Sequence, residues 1–379
     1  MKIYLKTLVP VLAGLLLSTS VSSARATEIS NKTQPLVEIA ILLDTSGSMD
    51  GLIEQAKGQL WKIVNEFIRA RQNGRAPEVR VALFEYGKST LPASEGYLRL
   101  IQPLTNDLDR ISEELFALKT NGGDEYCGWV IREAVTRLAW SHSPNVYRAI
   151  FIAGNEPFTQ GSVNYVAACK AAIAKGIMVN TIHCGSEAAG VATKWEDGAL
   201  LADGNYMVID QNRAVVHFQA PQDPEIARLS ADLNRTYVAY GAAGRESAAR
   251  QEAQDANASS LAPSGAVLGR ALTKASANYR NGGWDLVDAV NNGDRKLMEM
   301  KKEELPPEMQ KMTESERNAY LEAKTKERSQ IQAKIMQLNE ERSKYVATQT
   351  KAQSATNTLD TVITSVIRTQ AAKQNYRFE

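Results

Sequence analysis

Three oxygen-bearing side chains at alternate positions mark the stretch of this sequence best suited to chemistry. Asp44-Thr45-Ser46-Gly47-Ser48-Met49 follows an apolar run at 37–43 (VEIAILL) and precedes a segment in which Ile53, Ala56, Leu60, Ile63, Val64 and Phe67 recur at helical spacing. An Asp and two Ser on alternate residues at a strand end converge three oxygens on one point. Hard divalent cations take oxygen ligands and commonly keep several waters. The chemistry implied is therefore binding of Mg²⁺, with Mn²⁺ or Ca²⁺ as the other ions such a set admits. Gly47 lets the backbone turn tightly enough for both hydroxyls to face inward. The N-terminal dipole of the helix beyond also favours an anionic ligand there. The same residue types cap helices without any metal, and the string alone leaves both readings open.

Other reactive residues carry less. Asp124-Glu125 has the types for an acid/base pair, but adjacent carboxylates where a helix starts also serve as a dipole-favoured cap. His183-Cys184 has no further zinc ligand at suitable spacing. A cysteine nucleophile needs a histidine partner, and the three histidines are His142, His183 and His217. His183 adjoins Cys184, so in a strand the two point to opposite faces. No phosphate-cradling glycine motif is present. Trp61, Trp129, Trp140, Trp195 and Trp284 are scattered, as packing residues are.

The elements that must position Asp44 are those of an α/β chain. Strand-like text at 79–86, 97–101, 146–152, 177–183 and 206–210 alternates with helix-like text at 107–118, 126–140 and 163–175. Such alternation predicts a mostly parallel, doubly wound sheet with right-handed crossovers and helices on both faces. In these sheets the ligand site lies at the carboxyl ends of the strands, near the strand-order switch. Residues 219–292 read as a mainly helical module, with a short strand at 234–241. Residues 293–379 read as a long helix packed against a shorter one. Ile331, Ile335 and Leu338 take a 4-then-3 step, but Arg328 and Arg342 fill the flanking core slots, too little for a long coiled coil. Leu359, Val362, Ile363, Val366 and Ile367 form another apolar face.

At the Asp44 loop the chain resembles a known family. DTSGSM after a buried strand is similar to the metal-ion-dependent adhesion site (MIDAS) of von Willebrand factor A (VWA) domains. The resemblance continues through Gly122-Gly123-Asp124, the strand at 146–152 and the segment 195–210 (WEDGALLADGNYMVID), and spans roughly residues 35–212. It implies a Rossmann-like α/β domain at 35–218 with a divalent metal on Asp44, Ser46 and Ser48. Two departures stand out. VWA domains usually carry a Thr ligand where this chain has Asp124. They usually end the next strand in Thr-Asp-Gly, where this chain has Ala153-Gly154-Asn155 and then Glu156. The resemblance thus implies compensation, with the second carboxylate moved to Asp124, and with Asn155 and Glu156 replacing the lost Asp through water. The opposing reading is a decayed loop kept for structural reasons. Segments 152–160 (IAGNEPFTQ), 234–241 and 284–289 (WDLVDA) also resemble exported bacterial VWA proteins of unassigned role.

Cys127, early in the helix after the Gly-Gly loop, and Cys184, after the strand at 177–183, are expected at the same end of the sheet. A Cys127–Cys184 disulfide with Cys169 as the free thiol is the expectation. It fits an oxidising compartment and an odd cysteine count. Export is read from the first residues. Lys2 and Lys6 precede an apolar run at 8–17, and Ala24-Arg25-Ala26 offers the small residues a signal peptidase needs. A cleaved signal peptide at 1–26, a linker at 27–34 and a periplasmic or secreted location follow. The apolar run is well short of the roughly 20 residues of a bilayer span, and no later segment reaches that length. Removing Lys2, Lys6 and Arg25 leaves 41 basic residues against 43 acidic ones. That balance gives no electrostatic case for nucleic acid or an anionic membrane.

The functional expectation is a protein-binding module, not an enzyme. A partner protein's carboxylate completes the metal, and the C-terminal helices add a docking surface or an oligomer contact. The alternative is a structural envelope protein with a metal-free loop that binds through those helices. A metal-assisted hydrolase would need a base near Asp44, for which Glu125 and Glu156 are the candidates.

Overall fold

The computed structural model describes residues 34–210, 218–261, 265–351 and 359–378. The expected leader and all but the last residue of the expected linker lie outside them. The elements run β1 (Leu36–Asp44), α1 (Asp50–Glu66), β2 (Ala70–Arg71), β3 (Glu78–Tyr86), β4 (Leu98–Thr105), α2 (Leu108–Ala117), α3 (Cys127–Arg137), β5 (Tyr147–Gly154), α4 (Tyr165–Ala174), β6 (Met178–Cys184), α5 (Glu187–Ala192), α6 (Trp195–Leu200) and β7 (Tyr206–Ile209). There follow α7 (Asp223–Asn234), α8 (Gly244–Ser260), α9 (Ala266–Lys274), α10 (Leu286–Asn291), α11 (Glu314–Lys351), α12 (Leu359–Lys373) and β8 (Arg377–Phe378).

The main sheet has the order β4-β3-β1-β5-β6-β7. Its strands are parallel except β4, which runs antiparallel to β3. This is the mostly parallel, doubly wound α/β architecture, followed by a mainly helical region. Strand β1 reads as continuous apolar text because both faces of the sheet are covered. Val37, Ile39, Ile41 and Leu43 point into one core, with Trp61 and Val64 of α1. Ala40 and Leu42 point into the other, with Val130 and Ile131 of α3 and Cys169 of α4. Truncating such a buried Leu or Ile to Ala costs about 2–5 kcal/mol. Strand order reverses at β1 and β5, so their carboxyl ends, Asp44 and Gly154, lie side by side at the switch point.

The C-terminal helices differ from the sequence expectation in one respect. α11 packs on α7, α9 and α10, whereas α12 leaves it and packs on α1 and β7. Ile363, Val366, Ile367, Ala371 and Tyr376 enter the first core beside Met178, Ile182, Met207 and Ile209. The end of the chain thus supplies a helix to the sheet, and β8 pairs with β2. Two arginines of α11 bind the helical region. Arg328 is buried and pairs with Asp285 at 2.6 Å and Asp288 at 2.7 Å, over the ring of Tyr237. Arg342 pairs with Asp223 at 2.7 Å. Those slots engage carboxylates of the helical region, while the apolar face of α12 packs on the sheet. Around the expected strand at 234–241 the structure has only an isolated bridge, Ala239 to Asp285. A second buried network, Arg270 to Asp109 at 2.5 Å and Lys274 to Asp255 at 2.8 Å, fastens α9 to α2 and α8. Among the described residues no helix is long and apolar enough to cross a membrane.

Candidate functional site

Asp44 ends β1, fully buried, and its Oδ1 accepts the Ser46 amide at 2.7 Å. Its Oδ2 is buried with no hydrogen-bond partner. The Ser46 and Ser48 hydroxyls stand 3.2 Å apart. From the end of β5, Asn155 Nδ2 donates to Ser48 Oγ at 3.1 Å, which leaves Asn155 Oδ1 buried and without a partner. Four of the expected ligands, Asp44, Ser46, Ser48 and Asn155, are thus brought together. α1 is N-capped at Met49, which makes no side-chain cap bond. Capping at that position does not account for the Asp and Ser.

Asp124 is not brought in. It is exposed, and accepts the Tyr126 hydroxyl at 3.3 Å. The carboxyl turned toward Asp44 belongs to Glu125, which is buried. A Cβ on Gly123 would meet the Gly87 carbonyl at 2.4 Å, so that residue faces the 87–89 loop. Glu125, two residues on, is buried beside Asp44, and Asp124 between them is exposed. The Glu125 amide donates to Gln160 Oε1 at 2.8 Å, which fixes the backbone. Gly87 has φ +83° and completes the arrangement: a Cβ there would lie 2.7 Å from both Asp44 Oδ1 and Glu125 Cγ.

The two carboxyls perturb each other. Burial first of all pushes Asp44 up to about 7, against the Ser46 amide and hydroxyl, which lower it. Burial, then the charge of Asp44, pushes Glu125 up to about 8. The charge of Glu156 raises both. A cation among them would offset the repulsion between these carboxylates and favour their charged forms.

The place where a VWA domain usually has its second Asp is closed. A Cβ on Gly154 would stand 2.6 Å from Tyr86 Oη and 3.1 Å from Asp44 Oδ2. Tyr86 Oη is fixed there because it donates to the Ala153 carbonyl at 2.9 Å. Among the described residues no three His, Cys, Asp or Glu side chains gather to hold a metal. The donor set here is instead mixed: buried carboxylate, two hydroxyls and a carboxamide oxygen. Such a set suits a hard cation, and the two partnerless acceptors fit one.

The expected Cys127–Cys184 disulfide is corrected. All three cysteines are free and buried. Cys184 lies in the core on the α1 face of the sheet and Cys127 in the core on the other, so the sheet separates them. Both are at the same end of the sheet, as expected, but on opposite sides of it. Burial holds the thiols of Cys127, Cys169 and Cys184 above their usual range.

No protein-family model matches the chain, and no curated protein matches it. Among solved structures it is similar to BatB from Bacteroides thetaiotaomicron, at 20% identity over 46% of this chain and 90% of that one, with a TM-score of 0.35. It is similar to the SpRpn10 VWA domain at 18% identity over 46% of this chain and 88% of that one, with a TM-score of 0.35. A third likeness, at 13% identity over 48% of this chain and 43% of that one, with a TM-score of 0.35, is to proximal thread matrix protein 1 from the mussel byssus with a zinc-occupied MIDAS motif.

Proposed function

We propose that this chain is an exported, VWA-type binding protein. It holds a divalent cation at Asp44, Ser46, Ser48 and Asn155 and uses that end of the sheet to dock a partner protein. The observation that carries the reading is the pair of buried, partnerless acceptors, Asp44 Oδ2 and Asn155 Oδ1, beside two serine hydroxyls at the switch point. Buried polar atoms are satisfied in nearly all folded proteins, and an unsatisfied pair calls for an ion or water. Export rests on Lys2, Lys6, the apolar run at 8–17 and the small residues before the expected cleavage after Ala26. No catalytic step is assigned. Mg²⁺ is the ion proposed, with Mn²⁺ and Ca²⁺ as its competitors.

The test is capture of partners from an envelope extract by the immobilised full chain, in Mg²⁺ and in EDTA. Metal-dependent docking requires that captured proteins be lost in EDTA and with Asp44→Ala. Capture indifferent to both overturns it. That outcome favours the second reading, a structural envelope protein with a metal-free loop, for which the Ser46 amide bond to Asp44 is the supporting observation.

A further inference from the structure

Glu125 and Asp44 are two buried carboxyls that share one space and have no cationic partner. No Lys, Arg or His among the described residues pairs with either, although exposed carboxylates elsewhere in the chain are paired repeatedly. An uncompensated buried charge costs several kcal/mol, so two such carboxyls together either keep their protons or take a cation between them. Three features aim Glu125 there. The lack of a Cβ at Gly87 opens the space that Asp44 Oδ1 and Glu125 Cγ share. Gln160 holds the backbone at the Glu125 amide. Tyr86 closes the position at Gly154 from which a β5 carboxylate would reach the same place.

We propose that Glu125 is a resident ligand of the cation, an inference that rests on the reading above. The chain then completes the charge of its own site. Asp44 and Glu125 neutralise a divalent ion between them, and the ion is retained without a partner. A partner carboxylate reaches it only by displacing Glu125 or a bound water. Asp124, one residue away, stays outside the coordination sphere.

Binding of Mn²⁺ to the full chain tests this, with free Mn²⁺ followed by electron paramagnetic resonance and bound Mn²⁺ by water-proton relaxation. Glu125→Gln is expected to weaken binding roughly tenfold or more and to raise the relaxation per bound ion, because water takes the vacated position. Asp124→Asn is expected to change neither by more than about twofold. Glu125→Asp, which keeps the charge on a shorter arm, should fall between wild type and Glu125→Gln. Unfolding in EDTA checks that each variant is folded. Unchanged binding and relaxation in Glu125→Gln, or the loss appearing in Asp124→Asn instead, overturns the assignment while leaving the cation site standing. If the unsubstituted chain binds no Mn²⁺, the parent reading falls and this one with it.

Discussion

Asp44→Asn should make the metal-free protein more stable at alkaline pH and unable to respond to metal. The folded state holds the Asp44 carboxyl at about 7, against a reference value of 3.8, chiefly through burial. A raised carboxyl binds its proton more tightly in the folded than in the unfolded chain, so stability is lost as pH rises from about 4 through 7. Near neutrality and above, the cost of the charged side chain approaches about 4 kcal/mol, at 1.36 kcal/mol for each pH unit. Asn keeps an oxygen for the Ser46 amide and carries no charge. It also relieves Glu125, which the charge of Asp44 pushes upward. Urea unfolding in EDTA at pH 4, 6 and 8 reads the effect. Wild type should weaken progressively toward pH 8 relative to Asp44→Asn, by up to about 4 kcal/mol between the extremes. Saturating Mg²⁺ should close most of that gap at pH 8. At a hundredfold excess over the dissociation constant, wild type gains about 2.7 kcal/mol, whereas Asp44→Asn gains none. Parallel stability curves for the two proteins from pH 4 to 8 would refute the reasoning, because they would mean that Asp44 is not held neutral by burial.

Other substitutions reach different parts of the account. Gly154→Asp should not restore an ordinary VWA site. Its Cβ would be 2.6 Å from Tyr86 Oη, so the variant should lose about 1–3 kcal/mol in denaturant unfolding, and adding Tyr86→Phe should recover part of the loss. Arg328→Ala leaves Asp285 and Asp288 without their cation and should cost about 3–5 kcal/mol. Arg228→Ala, at an exposed pair, should leave stability nearly unchanged by the same measurement. Thiol alkylation without reductant, read by mass spectrometry, should leave Cys127, Cys169 and Cys184 unmodified in the folded protein and modify all three in urea. A disulfide-linked peptide would contradict the free, separated cysteines.

What was legible in the sequence follows from how local each cause is. The doubly wound sheet shows because a strand buried on both faces must be apolar throughout, as 37–43 is. The Asp44 loop shows because its oxygens lie within five residues of one another and directly follow that strand. The choice between Asp124 and Glu125 does not show, because it is decided by Gly87, thirty-odd residues away, against which Gly123 packs. The cysteine pairing failed for a related reason. Sequence placed both residues at one end of the sheet without saying on which side of it. The place of α12 was out of reach because its partners, Met178, Ile182, Met207 and Ile209, are more than 150 positions earlier. Its apolar face was visible, but nothing local says what covers it.

The central claim is a divalent cation held at the carboxyl ends of β1 and β5. Isothermal titration of the EDTA-treated, dialysed full chain with Mg²⁺ and then Mn²⁺, beside Asp44→Ala, tests it most directly. The account requires one saturable site per chain in wild type and none in Asp44→Ala. No binding by wild type at millimolar metal, or equal binding by Asp44→Ala, would contradict it.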